Sequence, residues 1–208
     1  TVSPLALVGY GSSLSVLSGA GATVLDAGTA TTLTLVDLAI ESGIASDGGG
    51  GLSGSNATLC IARTIFAANS ASNEGGGVSL SGTGTLQIED SVFYANDAYG
   101  GGGAIVASTY AVTIEDSEFY GNWSGGDAGA FQLDSTGGGS IARTEFTSNE
   151  AVYSAGALDY GGWGPATALD LTDVTFASNN AVYAGGAIHM GSRDDPTINC
   201  YACTFVGN

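Results

Sequence analysis

The sequence contains no lysine, and its three arginines are Arg63, Arg143 and Arg193. The net charge of −17 therefore comes from a shortage of cations, because 20 acidic residues are an ordinary number for a chain of 208. Nucleic-acid binding depends on clustered lysine and arginine, so the sequence argues against this class of partner. It argues against anionic membranes for the same reason, whereas divalent cations and neutral partners stay open.

Cysteine and long apolar runs are also scarce. Three cysteines do not make a disulfide framework, and Cys60 lies too many repeats from Cys200 to meet it within one molecule. Cys200 and Cys203 are close enough along the chain to pair, but Cys200 replaces the Ile or Leu of other repeats, and we expect it to pack as a small hydrophobe. No apolar run is long enough to span a bilayer, which argues against direct membrane insertion, and no signal peptide is present.

The chain is instead rich in glycine, with 35 residues, and is built from a repeat of 26 to 30 residues. Each copy has an apolar anchor that is followed three residues later by Asn or Gly. The anchors are Ile40, Phe66, Phe93, Phe119, Phe146, Phe176 and Phe205, and their companions are Gly43, Asn69, Asn96, Asn122, Asn149, Asn179 and Asn208. A repeat of this length indicates a solenoid, in which one unit stacks on the next.

Two further columns describe the shape of the coil. Apolar residues seven and five positions before each anchor alternate with polar ones, which is typical of a strand with one buried face. An unbroken glycine column lies ten residues after the anchor, at Gly50, Gly76, Gly103, Gly129, Gly156 and Gly186. Such a column indicates a tight corner, where the backbone either has a positive φ or meets the next coil closely.

These patterns predict an all-β parallel β-helix of about seven to eight coils, with internal ladders of Phe and Asn. Residues 1–208 form one domain, with irregular first coils at 1–32 and regular repeats at 33–208. The longer return segments near residues 161–168 and 191–195 place the insertions on one edge. Because the chain starts without Met and stops within a repeat, we expect it to be part of a longer protein.

The paired motifs Gly-Gly-Ala-Ile, at 102–105 and 185–188, and Phe-x-x-Asn, at six places from 66–69 to 205–208, resemble the repeat of chlamydial polymorphic outer-membrane proteins. The same repeat occurs in other large bacterial surface proteins with a right-handed parallel β-helix of pectin-lyase-like shape. The resemblance covers nearly the whole chain. It implies secretion, surface display and an adhesive or structural role, and it supplies no catalytic residues.

Charged side chains offer few candidates for catalysis. Arg63 and Arg143 alternate with Asp in one column, and we expect each to lie between Asp residues of the neighbouring coils as a structural charge ladder. His189 and Asp159 share an outward column on successive coils, where they form either an acid–base pair or a simple ladder pair. Asp194 and Asp195 in one turn are candidate Ca²⁺ ligands, and so is Asp134 in another, although no calcium-loop motif accompanies them. We therefore expect no cofactor and no metal, with Ca²⁺ as the exception to test.

Aromatic residues are the candidates for binding. Exposed aromatic rings suit sugars or protein partners, but stacked rings also simply cover corner backbone. The candidates are Tyr94, Tyr120, Trp123, Tyr153, Tyr183, Tyr160 and Trp163.

The leading hypothesis is a non-enzymatic, extracellular β-solenoid of a bacterial cell surface that acts as a stalk or adhesin-type scaffold. The alternatives are a polysaccharide lyase or glycoside hydrolase, and a subunit that stacks head to tail into filaments. The enzyme hypothesis requires Arg193, Asp194 and Asp195 to converge with His189 and Asp159. Further β-helix coils or end-to-end self-association are expected at the ends, where uncapped coils expose backbone groups.

Overall fold

A computed structural model of the chain describes residues 4–10, 15–133, 137–161, 167–191 and 196–208. This part of the chain is all-β, with four parallel sheets and no helix, so none of its segments is a helix that could cross a membrane. Each sheet takes one strand from each successive coil. The predicted parallel β-helix is confirmed, with about seven turns.

We number the sheets in the order in which a coil visits them. Sheet 1 contains Leu5–Val8, Thr32–Val36, Thr58–Ala62, Gly84–Glu89, Tyr110–Glu115, Gly139–Ala142, Ala168–Thr172 and Thr197–Tyr201. Sheet 2 contains Ser15–Ser18, Leu38–Glu41, Ile65–Ala67, Val92–Tyr94, Glu118–Tyr120, Glu145–Thr147, Thr175–Ala177 and Thr204–Val206.

Sheets 3 and 4 complete the coil. Sheet 3 is made of two-residue strands at Ile44–Ala45, Ser70–Ala71, Asp97–Ala98, Trp123–Ser124, Glu150–Ala151 and Asn180–Ala181. Sheet 4 contains Leu25–Thr29, Leu52–Ser55, Val78–Ser81, Ile105–Ala107, Phe131–Leu133, Leu158–Tyr160 and Ile188–Met190. The two longest return segments follow Leu158–Tyr160 and Ile188–Met190, which are neighbours in sheet 4.

The core is a set of in-register columns of apolar side chains. The phenyl rings from Phe66 to Phe205 stack with centroids 4.8 to 5.1 Å apart and nearly parallel planes. Sheets 1 and 4 add Leu, Ile and Val columns to the same interior. Because like side chains repeat at the spacing of parallel strands, every coil buries its apolar face against the next.

The asparagine column forms a continuous ladder of buried amides. The Nδ2 of Asn96 donates to the Oδ1 of Asn122 at 3.0 Å and to the carbonyl of Phe66 at 3.0 Å. Its Oδ1 accepts from both the backbone N–H and the Nδ2 of Asn69. The same pattern runs on to Asn208, so each amide from Asn69 to Asn179 joins its coil to both neighbours.

The glycine column is a point of close approach between coils and has no positive φ. A Cβ on Gly103 would lie 2.2 Å from the carbonyl oxygen of Gly129. The positive φ falls one residue earlier, at Gly49, Gly75, Gly102, Ala128, Ala155 and Gly185. Of the two explanations that the sequence allowed for this column, close approach of the next coil is therefore confirmed, and a positive φ is wrong.

The structure corrects the expectation for the last two cysteines. Cys200 and Cys203 form a disulfide, with their Cα atoms 5.9 Å apart. The intervening Ala202 has a φ of 56°, and this left-handed corner brings the two side chains together. Cys60 is free, and its Sγ lies 3.3 Å from the Oε1 of Gln87.

Candidate functional site

Tyr94 and Tyr120 form a stacked pair on the outer face of sheet 2. Their strands are in register, the ring centroids are 5.2 Å apart and the planes differ by 4°. The next residue in this column is Thr147, whose side chain is too short to continue the stack. One face of the Tyr120 ring therefore borders an open cleft of about 310 Å³, which is also lined by Gly121 and Ser148.

Two carboxylates line the same cleft. Glu118 and Glu145 are exposed and lie directly opposite each other on neighbouring strands. Like charges in this arrangement repel, because the side chains of directly opposite residues in a sheet are close. In the described part of the chain neither has a cationic partner, since both described arginines are engaged elsewhere. The cleft thus combines one aromatic face with two uncompensated negative charges.

The aromatic surface continues round the asparagine corner into sheet 3. The rings of Trp123 and Tyr99 form an edge-to-face pair, with centroids 5.8 Å apart and planes at 79°. Trp123 lies in register between Asp97 and Glu150, so this ring also has an acidic residue on either side. Tyr99 is 71% exposed, and the sequence did not predict it as a binding residue, because the other coils have no aromatic residue at its position.

A second stacked pair, Tyr153 and Tyr183, lies beyond sheet 3. The ring centroids are 5.5 Å apart, and both side chains are exposed. Val182 beside them is also exposed.

One predicted binding residue is wrong. Tyr160 is fully buried, and its hydroxyl donates a hydrogen bond to the carbonyl of Thr167. It points inward because it is two residues from the buried Leu158 on the same strand, and side chains alternate between faces. Trp163 lies outside the described residues.

The structure brings His189 and Asp159 together. The Nδ1 of His189 lies 2.6 Å from the Oδ1 of Asp159, and their strands are in register. The Asp159 side chain is 11% exposed and the His189 side chain 37%. Burial raises the pKa of Asp159, and the hydrogen bond from His189 opposes this rise only in part. The pair is geometrically able to exchange a proton, although its carboxylate is largely withdrawn from solvent.

Arg63 and Arg143 each bind carboxylates of the preceding coil only. Arg63 donates to both oxygens of Asp37, at 2.7 and 3.1 Å. Arg143 does the same with Asp116 at 2.7 and 2.8 Å and adds Glu115 at 2.7 Å. Of the two Asp residues expected beside Arg63, Asp37 accepts its hydrogen bonds and Asp90 of the following coil acts on it only through its charge, because the planar guanidinium aligns its fork with one carboxylate.

These ion pairs change the protonation of their members. The hydrogen bond from Arg63 lowers the pKa of Asp37, and that from Arg143 lowers the pKa of Asp116. All four side chains are well exposed, so they stabilise a surface corner and do not form a recessed catalytic site.

The described residues contain no group of three or more His, Cys, Asp and Glu side chains that could hold a metal ion. Asp134, Arg193, Asp194 and Asp195 lie outside the described residues. The convergence of Arg193, Asp194 and Asp195 on His189 and Asp159 therefore stays a prediction.

Comparisons with protein-family models, with curated proteins and with solved structures find no match for this chain.

Proposed function

We propose that this protein is a non-enzymatic β-solenoid scaffold of a bacterial cell surface, a stalk or adhesin-type element that presents side chains along a stiff axis. The observation that carries the proposal is the in-register ladder of Phe from Phe66 to Phe205 and of Asn from Asn69 to Asn208. A ladder that repeats over six successive coils serves length and rigidity, whereas an enzyme departs from the repeat around its site. About seven coils spaced by about 4.8 Å span about 35 Å.

The negative charge of the surface also supports the proposal. Nearly all charge on the surface is negative, and the described arginines are both held by the chain's own carboxylates. An acidic exterior keeps a long, regular β structure soluble and discourages side-by-side association.

Stiffness is tested by spin-label distances along sheet 1. Thr34 and Asp170 occupy one outward column, five coil steps apart. With both changed to Cys in a Cys60→Ser background, the backbone separation should be about 24 Å, with a single narrow distance distribution. A broad or multiple distribution contradicts a stiff scaffold.

Adhesion is tested by displaying the chain on a non-adherent bacterium and measuring attachment to cells and to immobilised glycans and proteins. The scaffold proposal predicts attachment that survives His189→Ala and Asp159→Asn. Consumption of a defined polysaccharide that these two substitutions abolish would contradict it.

The second candidate is a polysaccharide lyase or hydrolase, and the observation that favours it is the 2.6 Å contact between His189 and Asp159. It predicts new reducing ends or unsaturated products from a polysaccharide panel. Loss of turnover in Asp159→Asn with unchanged folding would support it, and no turnover by the unmodified protein would exclude it for that panel.

The third candidate is head-to-tail assembly. Phe205 lies at the end of the Phe column on the last described coil, and its side chain is 51% exposed. Such a surface fits another coil of the same kind. If copies stack there, light scattering will show concentration-dependent growth that Phe205→Ser abolishes, whereas a constant monomer mass excludes it.

A further inference from the structure

We propose that the cleft beside Tyr120 is a docking site for an arginine side chain of a basic segment in a partner protein. The inference rests on the proposed scaffold function and names the kind of partner that the scaffold holds. The site is formed by the uncovered face of the Tyr120 ring with Glu118 and Glu145.

The ring geometry selects a flat group. Tyr94 covers one face of Tyr120 with nearly parallel planes, and the short Thr147 stands in the column on the other side. A planar group placed over Thr147 continues the stack at the coil spacing. A guanidinium is planar and stacks on aromatic rings, whereas the compact lysine ammonium makes no such stack.

The charges select a cation. Glu118 and Glu145 are directly opposite on neighbouring strands, exposed and without a cationic partner among the described residues. A guanidinium between them relieves their repulsion and offers five N–H donors in a fork that matches carboxylate oxygens. The chain has no lysine, and its two described arginines are engaged at another corner, so the described residues supply no such cation to the cleft.

The surface beyond the cleft repeats the same chemistry. Trp123 begins the next strand round the corner, and it lies in register between Asp97 and Glu150. An extended basic segment that places one arginine on Tyr120 thus meets a second aromatic ring flanked by acidic residues. A partner of alternating basic and small residues fits this face best.

A neutral sugar is the other class of ligand that stacks on tyrosine. Its hydroxyls can donate hydrogen bonds to the two carboxylates, but a neutral ligand does not offset the repulsion between their opposed negative charges. The aromatic and acidic features together favour the arginine side chain.

The experiment is a calorimetric titration of the whole 208-residue chain with a capped peptide, Gly-Arg-Gly-Arg-Gly, at two salt concentrations. The matched peptide carries citrulline, which has nearly the same shape as arginine but no charge. We expect the arginine peptide to bind at least about tenfold more tightly than the citrulline peptide, and to weaken with added salt.

Substitutions separate the site from the general acidity of the chain. Glu118→Gln with Glu145→Gln should weaken binding about tenfold, and Tyr120→Ser should do so by a similar factor. The control Asp47→Asn with Glu74→Gln also removes two charges, at a different groove that has no aromatic lining, and it should change affinity less than about twofold. Tyr183→Ser is the matched aromatic control and should leave binding unchanged.

Three results would overturn the inference. Equal binding of the citrulline peptide excludes a cation site, and equal losses in the two charge-removing double variants reduce the effect to net charge. Binding of a neutral oligosaccharide that needs Tyr120 but survives Glu118→Gln with Glu145→Gln would make the cleft a sugar site. The spin-label distance between Thr34→Cys and Asp170→Cys is independent of this cleft, so the scaffold proposal can stand when the docking proposal fails.

Discussion

The side-chain amide of Asn122 donates a hydrogen bond to the side-chain oxygen of Asn149, 27 residues further along the chain, at 2.9 Å. A second bond from the same Nδ2 reaches the carbonyl of Phe93, in the preceding coil, at 3.0 Å. One buried amide thus binds groups in the coils above and below it. The amide ladder therefore connects successive coils in addition to the apolar core.

We predict that Asn122→Ala lowers the free energy of unfolding by about 3–5 kcal/mol, because it leaves several buried donors and acceptors without partners. The exposed Asn180→Ala is the matched control and should cost less than about 0.5 kcal/mol. Urea denaturation monitored by circular dichroism measures both. Similar small losses in the two variants would show that the ladder amides contribute little.

We predict that Phe119→Ala costs about 3–5 kcal/mol, because its ring is fully buried between Phe93 and Phe146 at 4.8 Å from each. Phe205→Ala changes the same column on a coil where the ring is half exposed, and it should cost less than half as much. Thermal unfolding of both variants gives the comparison. If Phe119→Ala and Phe205→Ala were equally destabilising, burial of the stacked ring could not be the source of the stabilisation.

We predict that Gly103→Ala is destabilising by about 3 kcal/mol, because its Cβ would meet the carbonyl oxygens of Gly129 at 2.2 Å and Trp123 at 2.4 Å. Those atoms are backbone and cannot move aside without displacing a coil. Gly121→Ala has free space around the new methyl group and pays only for its left-handed φ of 61°, about 1 kcal/mol. Gly103→Ala should therefore have the lower melting temperature of the two variants, and the reverse order would contradict the close approach of coils at Gly103.

We predict that Asp159→Asn stabilises the protein at neutral pH. Burial raises the pKa of Asp159 above its ordinary value of 3.8, so ionisation of this group in the folded state costs stability as pH rises through the raised pKa. The gain from Asp159→Asn should therefore be absent well below pH 3.8, grow with pH and then level off.

We predict that Asp116→Asn has the opposite effect on stability at neutral pH from Asp159→Asn. Arg143 lowers the pKa of Asp116, so the contribution of this carboxylate is present above its ordinary value of 3.8 and is lost as pH falls through the lowered pKa. Urea titrations between pH 2.5 and 7 should show a loss for Asp116→Asn at neutral pH where Asp159→Asn shows a gain. The same sign for both variants would contradict the assigned environments.

Much of the fold was predictable because the same physical requirement recurs in every coil. A column such as Phe66 to Phe205 identifies one buried position repeatedly, and six copies outweigh the ambiguity of any single strand. The ladder of hydroxyls at Thr64, Ser91 and Ser117 was not predicted, because the column contains both Thr and Ser, and short polar residues beside a turn are usually exposed to solvent. In the structure the backbone N–H of Thr64 donates to the Oγ of Ser91, and that of Ser91 donates to the Oγ of Ser117.

The candidate site was less predictable because exposure depends on register within a coil. Tyr160 was expected at the surface from its position beside a long insertion, although its column partners Leu133 and Leu80 already pointed to the interior. Glu118 and Glu145 were not singled out, since neither belongs to a motif. Only the pairing of their strands places both carboxylates beside the open face of Tyr120.

The parallel pairing of every coil with the next also determines how the molecule responds to tension. Hydrogen bonds between coils run along the stacking axis, so we expect a force on the two ends of the chain to detach the outermost coils first. Each coil that peels away releases about 27 residues, or about 90 Å of extended chain. We therefore expect the solenoid to unfold under tension one coil at a time, in steps of similar length. The force of each step should depend on the contacts of one coil and not on the number of coils in the molecule.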